Sequence, residues 1–580
     1  MIRRQIFAVI ALLAALVLPA IAQERGRGIY TPPSIETVHA AVAERDMVVA
    51  QEKVAARVGA EILRQGGNAV DAAVATGFAM AVTYPRAGNI GGGGFMVIHL
   101  ADRNEDVAID YRETAPGATT RDIFLDADGK PDIAKSRDSA LSIGVPGTVA
   151  GFALALEKYG SGKFTLAQLL KPSIDLARDG LVLTDDMADT LPEAHEKRLN
   201  RWPASAKIFS RPDGSSLREG DTLMQPDLAA TLSALAEQGP RGFYEGPVAE
   251  RMIKAVHQAG GIMTLDDLKS YQPVIRTPVH GNYRGYEIVS MPLPSSGGTV
   301  LLETLNILEG YQLSDLKQGS PASLHLLIEA MKRAYADRAR YLGDPAFVNA
   351  PTNILLAKDY AAKQRASIDA DHATAAADVA SALPPREGSN TTHYSVVDRN
   401  GNAVSNTYTL NFPYGVGLVA DGTGVLLNNE LDDFTAAPGA SNAFGLVGYE
   451  PNLPGPGKRP LSSMSPTIVL KDGRPVLLTG SPGGSRIISA VLQVIVNVLD
   501  YHMDVAAAVA APRLHHQWLP DVVRVENGFS GDTLVALKAK GHQIADGALG
   551  QTSANSILVT SNGLLGAPDP RTRGAEAAGQ

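Results

Sequence analysis

The first residue able to do chemistry is a threonine that opens a strand. Thr391 to Val397 and Ala403 to Asn411 are two runs rich in Thr, Tyr and Val, joined through Arg399-Asn400-Gly401-Asn402. The pattern predicts a β-hairpin turning at Asn400-Gly401, the favoured pair for a two-residue type I′ loop. The preceding segment, Ala382 to Asn390, carries two prolines and a glycine and reads as a loop. A strand starting this abruptly, deep in the chain, leads to the hypothesis that Thr391 becomes a new N-terminus. It would then own both a hydroxyl nucleophile and an α-amine of reference pKa about 7.7–8.0, a general base that needs no histidine. A two-residue loop sets Thr391 opposite Leu410, and a loop one residue longer sets it opposite Thr409. Either register leaves Thr409 and Asn411 beside it, with Thr409 able to orient the hydroxyl. The same threonines also fit as β-branched strand filler.

An acyl-transfer site needs donors for an oxyanion. Gly483-Gly484, between a predicted strand and a predicted helix, offers bare backbone N–H groups there. It reads equally as an ordinary glycine-containing helix start. A substrate with an amino-acid head needs an anion site and a cation site. Arg112, Ser462 and Ser463 suit a carboxylate, and Glu430 with Asp433 suits an ammonium. Taken singly, such charges are usually solvated surface. Gly91 to Gly94 invites a phosphate-loop reading, but no Lys-Ser/Thr follows and a strand comes next, so close backbone packing is the better reading. His515-His516 lacks metal-ligand spacing, so neither metal nor cofactor is expected.

The elements that must position these residues come from a chain of 580 residues, ample for a large core. Hydrophobic content of 45% and charged content of 19% are ordinary for a globular protein, and a net charge of −9 gives no footing for nucleic acid. Zero cysteines exclude thiol catalysis, disulfides and thiolate metal sites. Met1 to Ala22 has the parts of a secretory signal: Arg3 and Arg4, the apolar Ile6 to Leu18, and Ala20-Ile21-Ala22 before Gln23. The expected product is an exported soluble protein, periplasmic or secreted, with no membrane span once the signal is removed. Strands are expected at Val48 to Ala50, Phe95 to Leu100, Val107 to Asp110, Gly424 to Asn428, Thr467 to Leu470, Pro475 to Thr479, Val522 to Val525 and Ser556 to Thr560. Helical spacing marks Glu52 to Arg64, Ala69 to Val82 after an Asn68 cap, and much of Thr148 to Ala339. It also marks Ile487 to Leu499 and Asp532 to Lys540. With a tight hairpin among them, these elements point to a layered α/β (α+β) sandwich on a mixed or antiparallel sheet rather than a doubly wound one.

Several motifs in order now carry a resemblance. They are Gly66-Gly67-Asn68-Ala69-Val70-Asp71-Ala72-Ala73, Gly91 to Phe95, Pro294-Ser295-Ser296-Gly297-Gly298, Thr391 to Asp398, Asn428 to Phe434, Arg459 to Pro466 and Gly480 to Arg486. The chain resembles the γ-glutamyltransferase (γ-glutamyltranspeptidase) family of N-terminal-nucleophile hydrolases over nearly all its length after the signal. The resemblance implies a four-layer αββα sandwich made as one precursor that cuts itself at Asn390–Thr391. The products would be a large subunit, residues 23–390, and a small subunit, residues 391–580, held together as a heterodimer. By position, Thr391 is the nucleophile, Thr409 its hydroxyl partner, and Gly483 with Gly484 the oxyanion hole. Arg112, Ser462 and Ser463 hold the α-carboxylate of the γ-glutamyl group, while Asn411, Glu430 and Asp433 hold its α-amino side. The implied reaction moves a γ-glutamyl group from glutathione or related amides to water, an amino acid or a peptide.

In the loop over the site, where many bacterial members carry tyrosine, this chain has Phe444, which can cover the pocket but has no hydroxyl to latch it. The same family holds cephalosporin (glutaryl) acylases, the nearest rival reading. Arg112 together with Glu430 and Asp433 argues against it, because a glutaryl group has no α-amine. A more distant rival is an exported binding protein that keeps the fold without catalysis.

Overall fold

The protein is described by a computed structural model covering residues 38–379, 391–546, 549–550 and 552–580. The expected signal at 1–22 and the Asn390 side of the Asn390–Thr391 bond lie outside the described residues.

Two seven-stranded sheets form the centre. The hairpin sheet runs, edge to edge, Glu576–Gly579, Met47–Ala50, Thr392–Val397, Ala403–Thr409, Gly93–Leu100, Glu105–Asp110 and Val274–Arg276. The partner sheet runs Ala41–Ala43, Gly563–Ala567, Ser556–Thr560, Arg474–Thr479, Thr467–Lys471, Tyr286–Ser290 and Val279–Tyr283. Their ladders are antiparallel throughout.

The side-chain period of two sorts each strand between two cores. Val48, Ala50, Met96 and Ile98 join a core with the helices Lys53–Arg64, Ala69–Thr83 and Thr148–Tyr159, whereas Met47, Val49, Phe95 and Val97 face the partner sheet. The outer face of the partner sheet meets Gly297–Leu308 and Val505–Ala510, with Pro321–Tyr341 and Arg486–Leu499 packed beside them. The result is the αββα sandwich. Ala69–Thr83 is buried on every face, and its small side chains let the neighbouring layers close on it. Asn68 starts it with a reciprocal capping box to Asp71. Between the sheets lies a polar seam. His393 bridges Thr407 Oγ1 (2.9 Å) and Ser395 Oγ (3.0 Å), and Thr467 N donates to Ser405 Oγ (3.0 Å).

The hairpin register corrects the two-residue loop. Val397 pairs with Ala403, and Asp398 N donates to Asn402 O at 3.0 Å, so three residues, Arg399 to Gly401, make the turn. Gly401 takes the left-handed position (φ +85°) that a type I turn with a bulge requires. Asp398 decides the matter, since Oδ1 accepts from Asn400 N (2.8 Å) and Asn402 N (3.0 Å) while Oδ2 accepts from Ala69 N (3.0 Å). Elsewhere the expected Gly424 to Asn428 strand shrinks to Val425–Leu426, and Val522 to Val525 shrinks to Arg524–Val525. The largely helical middle also supplies Val274–Arg276, Val279–Tyr283 and Tyr286–Ser290 to the sheets.

Candidate active site

The three-residue loop carries the ladder on from Thr392↔Tyr408 to Thr391 facing Thr409 rather than Leu410. Both threonines are buried at this strand end. Thr409 Oγ1 accepts from Asn411 N at 2.7 Å, and Asn411 bends away in the left-handed region (φ +73°) with its side-chain amide donating to Asn429 O at 2.9 Å. Asn89, which the sequence reading did not single out, braces the same corner. Its Nδ2 donates to Thr409 O (2.8 Å) while Oδ1 accepts from Gly92 N (2.8 Å) and Thr148 Oγ1 (2.9 Å). A Cβ on Gly92 would fall 2.1 Å from Thr409 O, so the glycine run serves backbone packing against the Thr391 hairpin.

Arg112 is fully buried among acids. Its guanidinium donates to Glu430 and to Asp433, and its Nε to Pro460 O at 3.2 Å. Glu113 Oε2 lies 3.9 Å from it, and neither oxygen of Glu113 has a hydrogen-bond partner among the described residues. Burial works against the Arg112 charge, but Glu430 and Asp433 outweigh it and hold the guanidinium above its usual range. Burial drives the carboxyls the other way. Glu430 is pushed well above the carboxylate range and Glu113 up to about 8, in each case against the pull of Arg112. Asp433 is also raised by burial, again opposed by Arg112.

The serine pair sits on the Arg459 to Pro466 loop. Ser463 Oγ accepts from Arg338 Nη2 at 3.2 Å, and Ser462 Oγ accepts from Met464 N at 3.1 Å. Arg338 also donates to Ser296 Oγ (2.8 Å), which in turn donates to Ser462 O (2.6 Å). Arg459 fastens the other end, with Nη1 on Arg112 O at 2.6 Å and its guanidinium stacked 5.5 Å from the Tyr271 ring. The sequence reading missed Arg338 and Tyr271 and read Arg459 only as part of a motif. A clue was present, since Glu329, Lys332, Arg333, Asp337 and Arg338 occupy too many faces of one helix for all to reach water. All five are buried.

Gly483 and Gly484 adopt φ of 137° and 58° at the start of Arg486–Leu499. Phe444 covers Gly484 so closely that a Cβ there would lie 2.3 Å from its ring. The Phe444 ring is itself buried and stacks on Phe412 at 5.3 Å. One cavity is lined by Thr391, Thr409, Asn411, Arg112, Glu430, Asp433, Ser462, Ser463 and Gly484, with Phe444 above them. Of the sequence-derived site residues, Gly483 alone is outside that lining. The cavity volume is about 10 Å³, one water at most. Here Arg112 and the two acids satisfy each other directly, so a ligand held by either would have to part them.

Among the described residues, Asp106, His280 and Glu287 bring potential ligand atoms within 4.8 Å of one another, on side chains apart from this cavity's lining. His280 Nδ1 already meets Glu287 Oε1 at 2.7 Å.

Comparison with known proteins converges on the same residues' family. The family model described as Gamma-glutamyltranspeptidase matches residues 55–579. The glutathione hydrolase proenzyme of Escherichia coli (strain K12) is 51% identical over 540 residues, covering 93% of this chain and 92% of that one. Among solved structures, the cephalosporin acylase from Bacillus halodurans superposes with a TM-score of 0.82 at 27% identity, over 96% of this chain and 99% of that chain. The Helicobacter pylori gamma-glutamyltranspeptidase gives 0.54 at 47% identity, over 55% of this chain and 91% of that chain. With a family model spanning nearly the whole chain and a relative identical at half its positions, the protein belongs to the gamma-glutamyltranspeptidase family.

Proposed function

We propose that this enzyme transfers γ-glutamyl groups from glutathione and related amides to water, amino acids or peptides, with Thr391 as nucleophile. The observation that carries the reading is the convergence on one cavity of a strand-opening threonine, a second threonine opposite it, and an arginine paired with two acids.

Maturation comes first. The Thr391 hydroxyl adds to the Asn390 carbonyl, the C–N bond breaks, and the resulting ester is hydrolysed by one water. That leaves Asn390 with a carboxylate and Thr391 with a free amine. Until then the Thr391 nitrogen is an amide and cannot act as a base. In turnover the amine takes the hydroxyl proton as oxygen attacks the γ-glutamyl carbonyl, and returns it to the departing amine. Thr409 orients the hydroxyl, and the Gly483 and Gly484 N–H groups receive the oxyanion. Water or an acceptor amine then attacks the γ-glutamyl ester and regenerates Thr391.

The head of the substrate enters by exchange of partners. Its α-carboxylate replaces the acids on Arg112, with Ser462 and Ser463 donating, and its ammonium replaces Arg112 on Glu430 and Asp433 beside Asn411. The exchange leaves no buried charge alone, which favours a zwitterionic head. A glutaryl group brings a carboxylate without an ammonium, so it takes Arg112 from the acids and gives them no cation in return. Burial then drives them to take up protons, a cost that a zwitterionic head avoids. The likeness to a cephalosporin acylase keeps glutaryl amides as the second reading.

The remaining parts of the reading are removal of residues 1–22 on export to the periplasm or medium, and subunits 23–390 and 391–580. Purified wild-type protein should run as two bands on a denaturing gel, and Thr391→Ala as one. A wild type that remains a single band while turning over γ-glutamyl anilide would overturn the Thr391 mechanism. Faster turnover of glutaryl than γ-glutamyl anilide would overturn the substrate.

A further inference from the structure

Phe444 closes the cavity, yet its ring offers no polar group to hold it there. The polar hold on its loop comes from outside the pocket. Gln517 Nε2 donates to Gly445 O at 2.9 Å and approaches Phe444 O and Leu519 O at 3.4 and 3.2 Å. Three carbonyls around one nitrogen fix the orientation of the amide, because an oxygen in that place would face only acceptors. Gln517 Oε1 therefore points to His515 Nε2, 2.8 Å away, and that nitrogen must carry the proton. His515 Nδ1 is left as an acceptor for Ser489 Oγ at 2.9 Å, on the helix Arg486–Leu499, the one hydroxyl proton being shared with Arg486 O at 3.0 Å. His515 is wholly buried, and burial pulls its pKa down to about 3, so it stays neutral.

This chain of contacts begins at the oxyanion corner and returns to the lid. Ser489 stands one turn into the helix that starts after Gly484, and the His515 ring packs edge-on against Tyr335 (5.7 Å), whose hydroxyl donates to Ser485 O at 2.5 Å. Gln493 clamps Leu514 through both backbone groups, O at 2.8 Å and N at 3.0 Å, so the strand leading to His515 is fixed on the same helix. On the pocket side the loop is tied more loosely, by Asn442 Nδ2 to Asp433 Oδ1 at 3.4 Å and Ala443 N to Asp432 Oδ2 at 3.3 Å.

We propose that Gln517, held by His515 and Ser489, is the positioning residue that latches Phe444 over the γ-glutamyl site through the loop's backbone carbonyls. It touches no reacting atom. Its effect is on how firmly the lid stays over bound donor. The assignment of a γ-glutamyl donor rests on the function proposed above; the latch itself does not.

Gln517→Leu keeps the volume and removes both ends of the amide. The expected result is a donor KM raised about fivefold or more, the scale of one or two lost hydrogen bonds, with kcat within twofold. Proteolytic cutting within residues 436–457 should accelerate by a similar factor while Tm stays within a few degrees. Ser489→Ala, which frees the His515 ring and also gives up the hydroxyl's contact with Arg486 O, should shift both readouts in the same direction by less. Unchanged KM with unchanged loop cutting overturns the latch, and so does a fall in kcat at constant KM, which would move Gln517 into the chemistry. Were the leucine variant not to accumulate, Gln517→Asn, one methylene too short to span His515 and Gly445, carries the same expectations. Because loop cutting needs no substrate, the latch can fail while the γ-glutamyl assignment stands, and the reverse.

Discussion

At the scale of single residues, Arg112 is the most exacting position. Its three contact directions, to Glu430, Asp433 and Pro460 O, need a planar fork, which lysine lacks. Arg112→Lys should therefore raise donor KM on the order of a hundredfold, a loss of about two charge-assisted hydrogen bonds. Acceptor KM should move far less, and Michaelis kinetics with each substrate varied at saturation of the other checks both. A KM within threefold of wild type would separate Arg112 from the donor's carboxylate. The chemical types of these site residues were readable in the sequence, and the family resemblance grouped them, but Arg112's burial against two acids was not, since such charges read singly as solvated surface. Their supports were not. Asn89, Tyr271, Arg338 and Gln517 act through contacts with residues about 70 to 320 positions away, and no local pattern announces such a partner.

At the scale of elements, the hairpin shows what a sequence pattern can and cannot decide. The alternation of Thr392–Val397 and Ala403–Thr409 made the strands plain, but Asn400-Gly401 suits both a two-residue and a three-residue turn. The choice fell to Asp398, whose carboxylate is shared between the loop and the start of Ala69–Thr83. One residue of loop length determines whether Leu410 or Thr409 faces Thr391. Gly401 has open space around it, the nearest contact for a Cβ being Ala101 at 3.5 Å, so the only penalty for a side chain is its left-handed φ of +85°. Gly401→Ala is expected to cost about 1 kcal/mol of stability by denaturant unfolding. Maturation at Asn390–Thr391 should slow as the register loosens. A stability loss without slower processing would show that Asp398 alone secures the register.

At the scale of the molecule, the two halves of the chain on either side of Thr391 are shuffled together. In the hairpin sheet, Met47–Ala50 lies between Glu576–Gly579 and Thr392–Val397, while Ala403–Thr409 pairs with Gly93–Leu100. In the partner sheet, four strands from beyond Thr391 are bounded by Ala41–Ala43 on one side and Tyr286–Ser290 on the other. Ion pairs cross the same division, among them Arg112 with Glu430, Arg459 with Asp110 and Arg57 with Glu576. Cutting one backbone bond at the end of a strand breaks none of these ladders. Separating the pieces would break every shared ladder in both sheets and strip water-free faces from both. A chain cut at Asn390–Thr391 as proposed is thus expected to elute from gel filtration in plain buffer as one species containing both polypeptides. They should part only at denaturant concentrations that also abolish tertiary structure, so that subunit separation and loss of near-ultraviolet dichroism share one midpoint. Dissociation at a lower midpoint would mean that the interleaved strands do not carry the association.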